Sequence, residues 1–379
     1  MNRFHRILLS LLFLGPCLAL LAQPAHEMPR PADPARLADR SLILDIVATP
    51  RNLVAVGERG HVLLSQDGDR WTQADFVPVQ ATLTRVTYAD GRLWAVGHDS
   101  AIIHSYDYGE TWALQHFEPA WEKPLLDVQF LDSSNGLAVG AYGLFMRTVD
   151  AGRHWEVLDM ADLVTSEAID WAEVAATLVE DDELDDWLEE EDDWLGDDDW
   201  IDDDERVDDD DDDEYYDAEV DFDRGCYEFM ECHLNALLNL GDGRQMIAAE
   251  RGYGFRSVDG GQSWESFRFP YGGSMFGLLR FADDQIMAFG LRGHVQLSND
   301  FGDSWEILET NLRSSLKGGT LDRQGQPLMV GSGAARLRYD PATGRFQLNE
   351  DRLGSDYVAV LIGPDGRMIL GGAEGLSHE

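Results

Sequence analysis

Five aspartates recur in one frame: Asp67, Asp107, Asp150, Asp259 and Asp300. Each has a hydroxyl residue two positions before it (Ser65, Ser105, Thr148, Ser257, Ser298) and a tryptophan shortly after it (Trp71, Trp112, Trp155, Trp264, Trp305). The full frame is Ser/Thr-x-Asp-x-Gly-x-x-Trp; the copy from Ser65 to Trp71 is one residue short, and a decayed copy runs from Asp340 to Phe346. A carboxylate so placed can do one of two things. It can accept the N–H groups of its own turn while Gly takes the φ > 0 position, or it can serve as a catalytic acid. A residue required in every repeat is read as structural, with the tryptophan plugging the gap between neighbouring sheets.

The spacing names the elements that carry these turns. Trp71 to Trp112 is 41 residues, Trp112 to Trp155 is 43, and Trp264 to Trp305 and Trp305 to Phe346 are 41 each. Trp155 to Trp264 is 109, which leaves room for an insertion longer than one repeat. A period near 40 with several short strands per unit indicates a β-propeller. Within one unit, Leu83 to Ala89 alternates, Asp90-Gly91 signals a hairpin, and Leu93 to Gly97, Ala101 to Ser105 and Trp112 to Phe117 supply three further strands. Inner strands are expected to begin near Leu44, Leu83, Leu125, Leu234, Phe276, Leu316 and Tyr357. That makes seven four-stranded antiparallel blades, with six and eight as the neighbouring counts. The last unit is short of outer strands, and the segment before Leu44 is the candidate to complete it.

A second signature lies between the second and third strands. Glu58-Arg59-Gly60-His61, Glu250-Arg251-Gly252-Tyr253 and Leu291-Arg292-Gly293-His294 place an arginine in equivalent turns, on the face opposite the aspartate turns. Such arginines can grip carboxylates or peptide carbonyls; the alternative is that they are solvated turn residues. Asp99 and Tyr142 hold the position in the second and third units, so any arginine patch is one-sided. His61, His98 and His294 lie nearby and are read as packed or solvated rather than metal-binding. No Cys/His set has zinc spacing.

Residues 1–25 carry Arg3 and Arg6 before the apolar run Ile7 to Ala22, the pattern of a secretory signal peptide and short for a spanning anchor. The expected location is the periplasm, with an uncleaved anchor as the alternative. Residues 26–40 form a Pro-rich lead-in, 41–158 the first three blades, 159–228 an acidic insertion expected to be largely disordered, and 229–379 the remaining four blades. In an oxidising compartment Cys226 and Cys232 are compatible with one local disulfide, two separate thiols being the alternative.

The net charge of −43 is concentrated in the insertion: 29 of the 44 residues from Glu180 to Asp223 are acidic. This excludes nucleic acid as the expected partner. Trp187, Trp194, Trp200, Tyr215 and Tyr216 interrupt the acids, a pattern suited to docking on a protein; a solvated spacer and loose, non-specific calcium binding are the alternatives. Because the insertion follows an outer strand, it is tethered on the face of the arginine turns and is expected to cover that face until a partner displaces it.

The boxes from Thr148 to Trp155 and from Ser257 to Trp264, with the runs Asn135 to Gly140 and Leu53 to Gly57, resemble the photosystem II stability/assembly factor propellers and their relatives in non-photosynthetic bacteria. The resemblance covers about residues 40 to 160 and 230 to 376. It implies an exported seven-bladed propeller with no enzymatic activity; a monomer without a cofactor is the accompanying expectation. It also implies a membrane-protein or envelope-complex client, and an arginine patch for which Arg59, Arg251 and Arg292 are the candidates. Aspartate boxes of the BNR-repeat type also occur in sialidases and other glycoside hydrolases, the rival class. Those enzymes need paired carboxylates or a Tyr nucleophile with an arginine cluster. Asp127 and Asp356, at strand starts, are the acids outside the boxes that such a reading would draw on.

Overall fold

The computed structural model describes residues 28–165, 232–282, 284–351 and 354–379. The leader read at 1–25, Cys226 and most of the acidic insertion lie outside the described residues.

Seven antiparallel sheets follow one another along the chain, six of four strands and the last of three. Their inner strands are Ile43–Ala48, Leu83–Ala89, Leu125–Phe130, Leu234–Gly241, Met275–Arg280, Leu316–Leu321 and Tyr357–Ile362. Each inner strand touches the next around the ring, and Ile43–Ala48 touches Tyr357–Ile362, closing a seven-bladed propeller. Within each blade the strands run outward in sequence order. The expected onsets at Leu83, Leu125, Leu234, Leu316 and Tyr357 coincide with the strand starts, while the first and fifth strands begin one residue earlier.

The second strands, such as Leu53–Gly57 and Gly136–Gly140, are buried along their whole length and read as continuous apolar runs, because a blade is covered on both faces. Among the described residues the apolar core divides into seven clusters, one for each seam between neighbouring blades. The box tryptophans belong to these seams. Trp112 packs against blade 1, Trp155 against blade 2, Trp264 against blade 3, Trp305 against blade 4, and Trp71 in the seam that joins blade 7 to blade 1. A blade alone would expose two apolar faces, so burial depends on the ring being complete.

The closure differs from the expectation. No strand precedes Ile43 among the described residues, and blade 7 consists of Tyr357–Ile362, Met368–Gly372 and Gly375–His378. The lead-in instead crosses to blade 1: Ala32 N donates to Val77 O, and Gln73 Nε2 to Asp33 O. Its prolines explain the choice, since they remove donors and disfavour a ladder strand. The short turn Ala38–Arg40 seats Ala38 in the core and passes close to Gly375. Residues 159–165, read as the start of the insertion, are also folded. Asp159 caps the helix Met160–Leu163, and Leu163 and Thr165 hydrogen-bond Trp264 of blade 4.

Candidate partner-binding face

The aspartate turns are closed, self-satisfied structures. In blade 2, Asp107 Oδ1 accepts from Thr111 N at 2.9 Å, Oδ2 accepts from Thr111 Oγ1 at 2.6 Å, and Ser105 Oγ accepts from Gly109 N at 2.9 Å. Trp112 Nε1 donates to Gly109 O at 2.9 Å. Asp259 repeats the arrangement with Ser263, and Asp300 with Ser304. In blade 3, His154 Nδ1 lies 2.6 Å from Asp150 Oδ2. In blade 1, Asp67 accepts from Asp69 N and Arg70 N.

These bonds favour the ionised carboxylates. Asp150 is held at about 2, chiefly by His154. Asp67 is lowered by the N–H groups of Arg70 and Asp69. At Asp107, Asp259 and Asp300, partial burial pushes the carboxyl up but is outweighed by the neighbouring hydroxyl and backbone donors. The arrangement stores no proton for catalysis near neutral pH.

The opposite face carries the arginine turns. Arg59, Arg251 and Arg292 have φ of 55, 55 and 54°, and each is followed by a glycine that also has positive φ. Asp99 and Tyr142 adopt the same left-handed conformation in blades 2 and 3. The glycine is dictated by the connector beneath the turn, which leads from an outer strand to the next inner one. A Cβ on Gly60 would stand 2.0 Å from Val79 O, on Gly252 2.5 Å from Tyr271 O, and on Gly293 2.4 Å from Leu312 O. Arg59 and Arg251 are exposed and Arg292 half-buried. The structure places all three on one face without gathering them into one cluster: Arg251 and Arg292 stand on adjacent blades 4 and 5, and Arg59 stands across the ring on blade 1.

The chain re-enters the fold on this face. Cys232 O accepts from Gly143 N at 2.8 Å, and His233 packs edge-on against Tyr142. Cys232 is disulfide-bonded, and its partner lies outside the described residues. The three histidines do not converge. His61 is buried, His98 is exposed, and His294 stacks on Tyr271 at 3.5 Å. Among the described residues no three His, Cys, Asp or Glu side chains gather as a metal site.

One charged constellation escaped the sequence reading. Arg85 lies between Asp45 and Asp127, with Nε 3.3 Å from Asp127 Oδ1 and Nη1 3.7 Å from Asp45 Oδ1. All three occupy the same register position on inner strands 1 to 3, just after a bulge. Asp45 Oδ2 accepts Val86 N and Asp127 Oδ2 accepts Leu237 N, so each carboxylate latches the next blade. Burial pushes both carboxyls up, opposed by the Arg85 guanidinium. Regular spacing along the inner strands was the available signal. Asp356, the other acid noted outside the boxes, holds Lys317 Nζ at 2.8 Å and Gly333 N at 3.0 Å.

The fold and its turns define a seven-bladed β-propeller. No protein-family model matches the chain, and no curated protein matches it. Solved structures do. "YCF48 bound to D1 peptide" is similar at 15% identity and a TM-score of 0.59, over 94% of this chain and 98% of that one. YCF48 from Cyanidioschyzon merolae is similar at 14% identity and 0.57, over 89% and 94%. The WD40 propeller domain of Doa1 reaches 12% and 0.58, over 93% and 95%. At these identities the likeness is one of fold.

Proposed function

We propose that this protein is an exported, non-enzymatic propeller that binds a membrane-protein or envelope-complex client through the face of the arginine turns, as an assembly or stability factor. The observation that carries the reading is the left-handed backbone at Arg59, Arg251 and Arg292. Glycine or asparagine would occupy that conformation at lower cost, so stability does not explain an arginine there. An arginine on such a turn is suited to carboxylates and carbonyls of a polypeptide. A propeller of matching extent has been solved with a peptide from D1, which supports the peptide-binding role by analogy of fold.

A hydrolase reading finds less support. The box carboxylates are spent on their own turns, Asp127 is spent on Arg85 and Leu237 N, and Asp356 on Lys317. The test is affinity capture from the native envelope with the processed protein and with the variant Arg59→Glu/Arg251→Glu/Arg292→Glu. A membrane protein recovered by the native chain and lost with the variant is the expected result. Equal recovery by both would reject this face, and turnover of a glycan by either would return the hydrolase.

A further inference from the structure

The face of the aspartate turns, opposite the arginines, holds a second feature. A cleft of about 550 Å³ opens between blades 3 and 4, within the size range of small-ligand sites. Its rim carries the carboxylates of Asp132, Asp242 and Asp259. Arg147 also lines it but is ion-paired with Glu156 at 3.3 Å.

Gln245 sets the cleft apart. It lines the cleft and is only 1% exposed, and its Oε1 has no hydrogen-bond partner among the described residues. The strand register identifies its counterparts: Gln245 pairs with Ser257 at the start of a box, as Leu53 pairs with Ser65, Leu93 with Ser105, and Ile286 with Ser298. Blades 1, 2 and 5 thus place an aliphatic residue there. Burying an unpaired amide in its stead is unfavourable. A leucine would fill the position without that penalty, and the amide oxygen calls for a donor.

We propose that this cleft binds an organic cation bearing N–H donors, an alkylammonium or guanidinium group such as a lysine or arginine side chain. The acidic rim attracts the charge and Gln245 Oε1 accepts one N–H from the bound group. The site is independent of the arginine face, and its success or failure leaves the client-binding reading untouched.

The probes are N-acetyl-arginine amide and its neutral isostere N-acetyl-citrulline amide, titrated calorimetrically into the full chain at physiological salt. Gln245→Leu leaves the net charge, and hence general attraction by the acidic insertion, unchanged. Saturable binding of the arginine probe is expected, about tenfold weaker for the citrulline probe and about tenfold weaker in Gln245→Leu, as loss of one charge-assisted hydrogen bond implies. Thermal melting of Gln245→Leu should match or exceed that of the native chain. If that variant does not fold, Asp242→Asn on the exposed hairpin decides, with several-fold weakening expected. No saturable binding, equal binding of the two probes, or affinity unchanged by the substitutions overturns the proposal.

Discussion

Asp127 Oδ2 accepts the backbone N–H of Leu237 at 2.9 Å, from a residue 110 positions further along the chain. That bond, with Val128 N on Oδ1 and Arg85 alongside, latches blade 3 to blade 4, the two blades that the acidic insertion separates in sequence. Asp127→Ala would remove one of the two carboxylates that flank the Arg85 guanidinium and strand the seam N–H of Leu237. A loss of about 3–5 kcal/mol is expected, as for breaking a buried ion pair. Urea unfolding checks it, and Asp127→Asn, whose single amide oxygen can still accept one of the two N–H groups, should lose less.

The arginine turns separate strain from packing. Arg59→Gly relieves a left-handed non-glycine residue and is expected to stay within about 1 kcal/mol of the native stability or exceed it. Gly60→Ala adds a Cβ against the Val79 carbonyl at 2.0 Å and should lose about 3 kcal/mol. Thermal melting of the two single variants distinguishes them directly.

The lead-in meets the last blade at Gly375. Gly375 has φ of 88°, and an added Cβ would stand 2.2 Å from Asp39 O. Gly375→Ala is expected to free the Ala38–Arg40 turn. Hydrogen exchange should rise there and along Gly375–His378, with blades 3 to 5 little changed.

Acid should act through the aspartate turns. Their folded pKa values lie below the ordinary 3.8, down to about 2 at Asp150, so their stabilisation is fully present above 3.8 and is lost as pH falls towards 2. Asp45 and Asp127 have the opposite sign: burial raises them, and their contribution is full below the ordinary value and lost as pH rises through the raised ones. Asp150→Asn should flatten the slope of stability against pH between 3.8 and about 2. Urea titrations across that interval report it.

The blade count and most inner-strand onsets were legible because the tryptophan frame repeats with the blade. The strand starts at Ile43 and Met275 lie one residue before the expected onsets, and the bulge found there follows the correctly placed onsets as well. The last blade misled because a short sequence unit says nothing of where the other terminus packs. Arg59, Arg251 and Arg292 were visible as turn residues, but their left-handed backbone was not, since the glycine after each explains the turn equally well. Asp45, Arg85 and Asp127 were individually visible; their ion pairs required the ring to bring three inner strands together. Gln245 looked like any polar residue until the ladder aligned it with Leu53 and Leu93.

The face used for binding can be read in the living cell by photo-crosslinking. A benzoylphenylalanine at Tyr142, an exposed aromatic in the turn next to the Arg251 blade, would be compared with one at Val258, exposed on the aspartate-turn face. Binding through the arginine face should give a discrete adduct with an envelope membrane protein from position 142, abolished by Arg251→Glu/Arg292→Glu, and none from position 258. An adduct with that protein from position 258 alone, or one from 142 that survives the loss of both arginines, would contradict it.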